Sequence, residues 1–153
     1  MKRSLRITIL FLLAFALSGC IFGGGSSSNR RTLGHVYQDS DGFHIMTLVE
    51  SGATVSGTAR TIGKNDADRP LLVSIGEFDR MWSRLDEQAL ASYKSGKDAG
   101  RFNAADNYVI SKGHMRKGGT ATYVVPHSEA SPELRQWVGE FRTKARTESA
   151  AAW

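Results

Sequence analysis

Phe78, Met81, Trp82, Leu85 and Ala89 recur at intervals of three and four residues, so they share one stripe of a helix; Asp79, Arg80, Arg84, Asp86 and Glu87 fall on the other side. Ser74 with Glu77 three residues on forms a capping box ahead of the stripe, and Val73 can close on Phe78 as a hydrophobic staple. Trp82 is expected in the core. A second stripe, Leu134, Trp137, Val138 and Phe141, follows Ser131 as N-cap, Pro132 at the first helical position and Glu133 in the first turn.

Elsewhere the pattern is that of strands. From Val36 the chain turns strand-like: Phe43 to Val49 is rich in β-branched and apolar residues, Ser51-Gly52 can turn, and Thr54 to Ile62 alternates weakly, which together predict a hairpin. Gly63 to Arg69 reads as a polar loop, and Leu71-Leu72-Val73 as a short strand or the lead-in to the first helix. Asn107 to Lys112 and Thr120 to Val125 predict a second hairpin across Gly118-Gly119. The fold class that follows is α+β: an antiparallel sheet of two hairpins with two amphipathic helices packed on one face.

The N-terminal pattern is of another kind. Lys2, Arg3 and Arg6 precede an apolar run from Ile7 to Leu17, too short to span a bilayer stably, and small residues then lead to Cys20, the only cysteine. Residues 1–19 are expected to be a signal peptide, and residues 20–32 a flexible Gly/Ser tether, of which the seven residues 23–29 reach about 15 Å. One domain is expected over residues 33–146, with a frayed tail at 147–153.

Leu17-Ser18-Gly19-Cys20 resembles the lipobox of bacterial lipoproteins. The resemblance implies cleavage before Cys20, a diacylglycerol thioether on its sulfur and, usually, acylation of the new amino group with a fatty acid such as palmitate. Two or three acyl chains make such an anchor effectively permanent. Because Ile21 is not the aspartate that retains many such proteins in the inner membrane, the implied address is the inner leaflet of the outer membrane, facing the periplasm.

Processing changes the charge. The chain has 20 Lys and Arg against 15 Asp and Glu; three of the basic residues and none of the acids lie in residues 1–19, leaving 17 against 15. A nucleic-acid partner therefore loses its main support. With Cys20 lipidated no thiol remains for a disulfide, a metal or a nucleophile.

The remaining chemistry is sparse. His35, His44, His114 and His127 match no zinc-ligand spacing, although His44 and His114 on neighbouring strands could bind a metal or respond to pH. No Gly-x-Ser-x-Gly elbow, phosphate-cradling loop or calcium loop is present, so no catalytic residue, metal or cofactor is expected. The stretch from Lys94 to Asn103 has mixed charge, two glycines and no period; such a long loop is a candidate binding element, with Lys94, Lys97, Arg101 and Phe102 as partner-binding residues.

Past the tether, Val49-Glu50-Ser51-Gly52, Ser74 to Phe78 leading a helix, Ala105 to Ile110, and Ser131-Pro132-Glu133-Leu134 occur in an order that resembles emfourin-like inhibitors of thermolysin-type metalloproteases. The resemblance implies an inhibitor. The expected function is that of a membrane-tethered periplasmic lipoprotein that binds and inhibits a hydrolase, as an immunity protein against a delivered toxin or as a protease inhibitor. The alternative is an accessory lipoprotein of an envelope secretion or assembly complex.

Overall fold

A computed structural model describes residues 30–63, 67–85, 90–95, 103–114 and 119–147. Cys20, Ala89, Lys97, Arg101, Phe102 and the tail from Ala150 lie outside the described residues.

The fold is α+β, with a six-stranded, wholly antiparallel sheet in the order β4-β3-β2-β1-β5-β6. The strands are β1 (Arg31–Asp39), β2 (Gly42–Ser51), β3 (Thr54–Gly63), β4 (Ala67–Leu71), β5 (Asn107–His114) and β6 (Gly119–Pro126). Among the described residues there are two α-helices, α1 (Ile75–Arg84) and α2 (Pro132–Thr147), and a short 3-10 turn over Ala91–Tyr93. No described helix is long and apolar enough to cross a membrane.

β2 pairs with β3 and β5 with β6, within a sheet of six strands. β1 starts at Arg31, ahead of the strand-like run noted from Val36. Asp39 pairs directly with Gly42 across a tight turn, which carries β1 straight into β2. β4 occupies what reads as polar loop and lead-in: Asp68, Arg69 and Pro70 pair with Arg60, Ala59 and Thr58 at the sheet edge. A strand hydrogen-bonded on one side only tolerates a proline and charges, which also discourage edge-to-edge association.

The turn between β2 and β3 uses Gly52 at φ +67. At the other end of the same pair Gly42 stands opposite Gly63. A Cβ on Gly42 would lie 2.2 Å from the Ile62 carbonyl oxygen, so two backbones meet here with no room for side chains.

The capping box forms as the sequence predicts. Ser74 Oγ accepts from the Glu77 N–H at 3.3 Å, and the Glu77 carboxylate accepts from the Ser74 N–H at 3.0 Å. Lys144 on α2 ion-pairs with that carboxylate and, with Ser74, holds it down to about pKa 2. At the far end of α1 the buried Lys112 donates to the Leu85 carbonyl at 2.8 Å, closing the helix with a cation where the helix dipole is negative. Trp82 is partly buried, packing on Phe78 and beneath the cations of Arg31 and Lys112.

Strand register sorts the sheet into two faces. Leu33, His35, Tyr37, Met46, Leu48, Gly57, Leu71, Ile110, Tyr123 and Val125 share one. The buried apolar members join Phe78 and Met81 of α1 and Trp137, Val138 and Phe141 of α2 in one core. Trp137 Nε1–H donates to the Met81 carbonyl at 2.8 Å, locking helix to helix.

Candidate functional site

Arg31 marks where the chain enters the domain. Its guanidinium pairs with Glu50 and Asp79 at 2.5 Å and lies over the Phe78 and Trp82 rings. These carboxylates, Glu50 first, raise its already high pKa further, so the entry point is held by a permanent charge. β1 runs from there through the centre of the sheet, and its nine residues carry the chain about 26 Å away.

A cleft of about 500 Å³ opens beside β6, between the ends of α1 and α2. Leu85, Leu90, Tyr93, Val125, Leu134 and Trp137 make its apolar lining, and Arg84, Glu129, Ser131 and Glu133 its polar members. That size and composition suit an apolar side chain or a small ligand. Val125 stands level with Tyr108, while Leu85 is held by Lys112, level with Leu33, so the cleft spans both halves of the strand length beside β6.

Each wall has a local cause. Ser131 Oγ accepts from the Leu134 N–H at 3.0 Å and starts α2 at the rim. Lys112 fixes Leu85. Tyr93 is carried by the 3-10 turn, which the Ser95 N–H ties to the Thr122 carbonyl at 2.8 Å. Burial, then its hydrogen bond to Glu129, raises the Tyr93 phenol above its usual range, so it stays protonated and donates to that carboxylate. Two acids at the rim, Glu129 and Glu133, favour a group with an apolar body and a cationic end.

Of the partner-binding residues expected from sequence, Lys94 is placed here: it is exposed and bridges to Tyr123 at the sheet edge, next to Tyr93. Lys97, Arg101 and Phe102 lie outside the described residues. Tyr93, Glu129 and Glu133 were not foreseen as site residues; no local pattern distinguishes them from ordinary surface positions.

His44 and His114 are not on neighbouring strands: β1 lies between β2 and β5, and His114 pairs with Arg31 at the opposite end of the sheet from His44. Instead His35, His44 and His127 gather around two tyrosines. Tyr37 stacks on His44 at 4.4 Å and on His35 at 5.5 Å, and Tyr108 packs against His127 at 4.2 Å. Arg142 of α2 reaches into this group, over the Tyr37 ring at 4.1 Å and the Tyr108 ring at 5.6 Å.

His44 bonds Asp39 at 2.8 Å through Nε2 and Thr61 at 3.2 Å through Nδ1, a cross-strand chain of hydroxyl, imidazole and carboxylate. Burial works to raise the Asp39 carboxyl, but His44 and the Asp41 and Gly42 N–H groups outweigh it and the net displacement is downward. Among the described residues no three His, Asp or Glu side chains converge as metal ligands. No family model, no curated protein and no solved structure matches this chain.

Proposed function

We propose that the chain is a lipid-anchored envelope protein, tethered through Cys20 to the periplasmic face of the outer membrane, whose domain binds and blocks a hydrolase rather than catalysing a reaction itself. The blocked enzyme is a toxin delivered to the periplasm, for which the chain acts as immunity protein, or a protease. In this reading both amphipathic helices lie on the core face of the sheet, and the cleft beside β6 receives a side chain of the partner.

The observation that carries the proposal is the apolar, acid-rimmed cleft beside the edge strand β6. The tether joins at Arg31 on the central strand β1, and the cleft with Lys94 at its margin opens beside β6, with β5 between them. A module held to a surface through its central strand and offering such a cleft beside its edge strand is suited to meeting a second protein. The helix led by Ser74, the strand entered through Asp106-Asn107-Tyr108 and the closing helix from Pro132 support the inhibitor arm by their order.

The test has two parts. Labelling with a palmitate tracer should mark the chain and fail with Cys20→Ala. A deletion strain should become sensitive to competitors, or release an envelope protease activity, and be rescued by the native gene but not by Leu134→Lys, which puts a cation into the cleft. A deletion strain that instead loses secretion or outer-membrane assembly with no toxin present would replace the inhibitor with an accessory role.

A further inference from the structure

The cleft beside β6 changes character from floor to rim. Its floor is apolar: Leu85, Leu90, Val125, Leu134 and Trp137 are all buried. The Trp137 indole N–H already donates to the Met81 carbonyl at 2.8 Å, so that ring offers the cleft no free donor. Tyr93, half-buried, stands between the floor and solvent.

Three charged side chains line the rim, and they are not equally engaged. Arg84 is ion-paired with Glu140 of α2 and so brings no net positive charge. Glu129 and Glu133 are exposed carboxylates. Glu129 accepts the Tyr93 hydroxyl, which leaves its charge in place. Glu133 has no hydrogen-bond or ion-pair partner among the described residues. Of the other basic residues nearby, Lys94 is exposed at the margin and is not part of the lining. Arg135 lies two residues beyond Glu133, hence on another side of α2, and donates to the His127 carbonyl at 3.2 Å. The rim thus sets two uncompensated negative charges above an apolar floor.

We propose that the cleft is the receptor for a lysine or arginine side chain of the partner, with the methylene stem on the floor and the charged head at the rim beside Glu129 and Glu133. This rests on the reading of the cleft given above and names the chemistry of its occupant. An acidic side chain would be repelled by both rim carboxylates, and an aliphatic one would leave them unanswered. A long basic side chain buries its stem while its head keeps contact with water, which avoids the cost of a fully buried charge. The volume of about 500 Å³ lies in the lower half of the range for ligand sites and has room for such a stem together with the backbone that carries it.

The test titrates the full chain, purified in detergent, with N-acetyl-lysine methylamide and with N-acetyl-norleucine methylamide, whose stem has the same length and no ammonium group. The resonance of the Trp137 indole N–H reports occupancy. The lysine probe is expected to bind roughly fivefold tighter or more, and about 1 M salt should erase that preference. Glu129→Gln and Glu133→Gln, both at exposed positions, should each weaken the lysine probe by about threefold and leave the norleucine probe unchanged. Equal binding of the two probes, binding of neither, or a preference that survives both substitutions overturns the proposal. Equal binding in a chain whose deletion strain is sensitised to competitors refutes the basic occupant and keeps the inhibitor. A preferred lysine probe in a chain whose deletion strain is unchanged toward competitors and in envelope protease activity does the reverse.

Discussion

Arg142 donates its Nε–H to His35 Nε2 at 3.0 Å, a bond between α2 and the central strand that only a neutral imidazole can accept. The opposite ring nitrogen, Nδ1, therefore carries the proton and donates to the Val109 carbonyl at 2.9 Å. Burial first, then the Arg142 charge and His127, push His35 down to about pKa 3. Phe141 meets the ring edge-on and Tyr37 stacks on it, and the Val109 carbonyl, which favours the charged form, does not offset the lost water.

Stability should consequently fall on mild acidification. The unfolded chain takes up a proton on His35 near pH 6.5 and the folded chain not until about 3, so the contribution is complete above 6.5 and is lost as pH drops between those values. The expected slope is about 1.4 kcal/mol per pH unit. Urea titrations at a series of pH values check it, and His35→Gln should flatten the dependence in that window.

Arg142→Lys keeps the charge but not the flat guanidinium that lies over Tyr37 and Tyr108. A loss of about 1–2 kcal/mol is expected. It is read as a lowered melting temperature, with a change in the near-ultraviolet dichroism of the tyrosines. An unchanged melt would show that α2 is held without this contact.

A methyl group at Gly57 should be felt strongly. The glycine lies between Leu48 and Leu71 on the core face, and a Cβ there would stand 2.6 Å from Leu48 Cδ2 and 2.7 Å from Leu71 Cβ. Gly57→Ala is predicted to cost about 1–3 kcal/mol by overpacking. Gly76→Ala, where nothing stands within 4 Å of the new atom, serves as the control and should be tolerated.

Glu77 supplies a second, lower acid limb. Its folded carboxyl lies near 2 against an ordinary 4.5, because Lys144 and Ser74 hold the ionised form. The associated stability is present above 4.5 and lost as pH falls toward 2. Glu77→Gln should remove this limb and leave the His35 limb in place, which denaturation curves at pH 5 and pH 3 distinguish.

The elements that were legible in sequence are those whose signals are local. Ser74 and Glu77 announced α1, Ser131 and Pro132 announced α2, and β5 and β6 were visible as β-branched runs about a pair of glycines. β4 was hidden because an edge strand needs no apolar alternation and Pro70 argued against it. The start of β1 was hidden because Arg31 is charged, and its pairing with Glu50 and Asp79 depends on residues 19 and 48 positions away. The cluster of His35, Tyr108, His127 and Arg142 was out of reach for the same reason. One part of it could have been found: a two-residue turn at Ser40-Asp41 sets Asp39 against Gly42, and counting back places Tyr37 opposite His44. The cleft left no sequence signal beyond the run beginning at Lys94, since its lining comes from four separate stretches of chain.

β1 has a neighbour along both flanks, and its first residue is where the preceding chain attaches. A pull transmitted through that attachment acts lengthwise on the middle of the sheet, so the backbone bonds to β2 and β5 share the load and must yield together. Had the attachment been to β4 or β6, the same tug would be borne by the bonds along one flank alone. The domain is thus built to resist a lengthwise pull applied through its first strand.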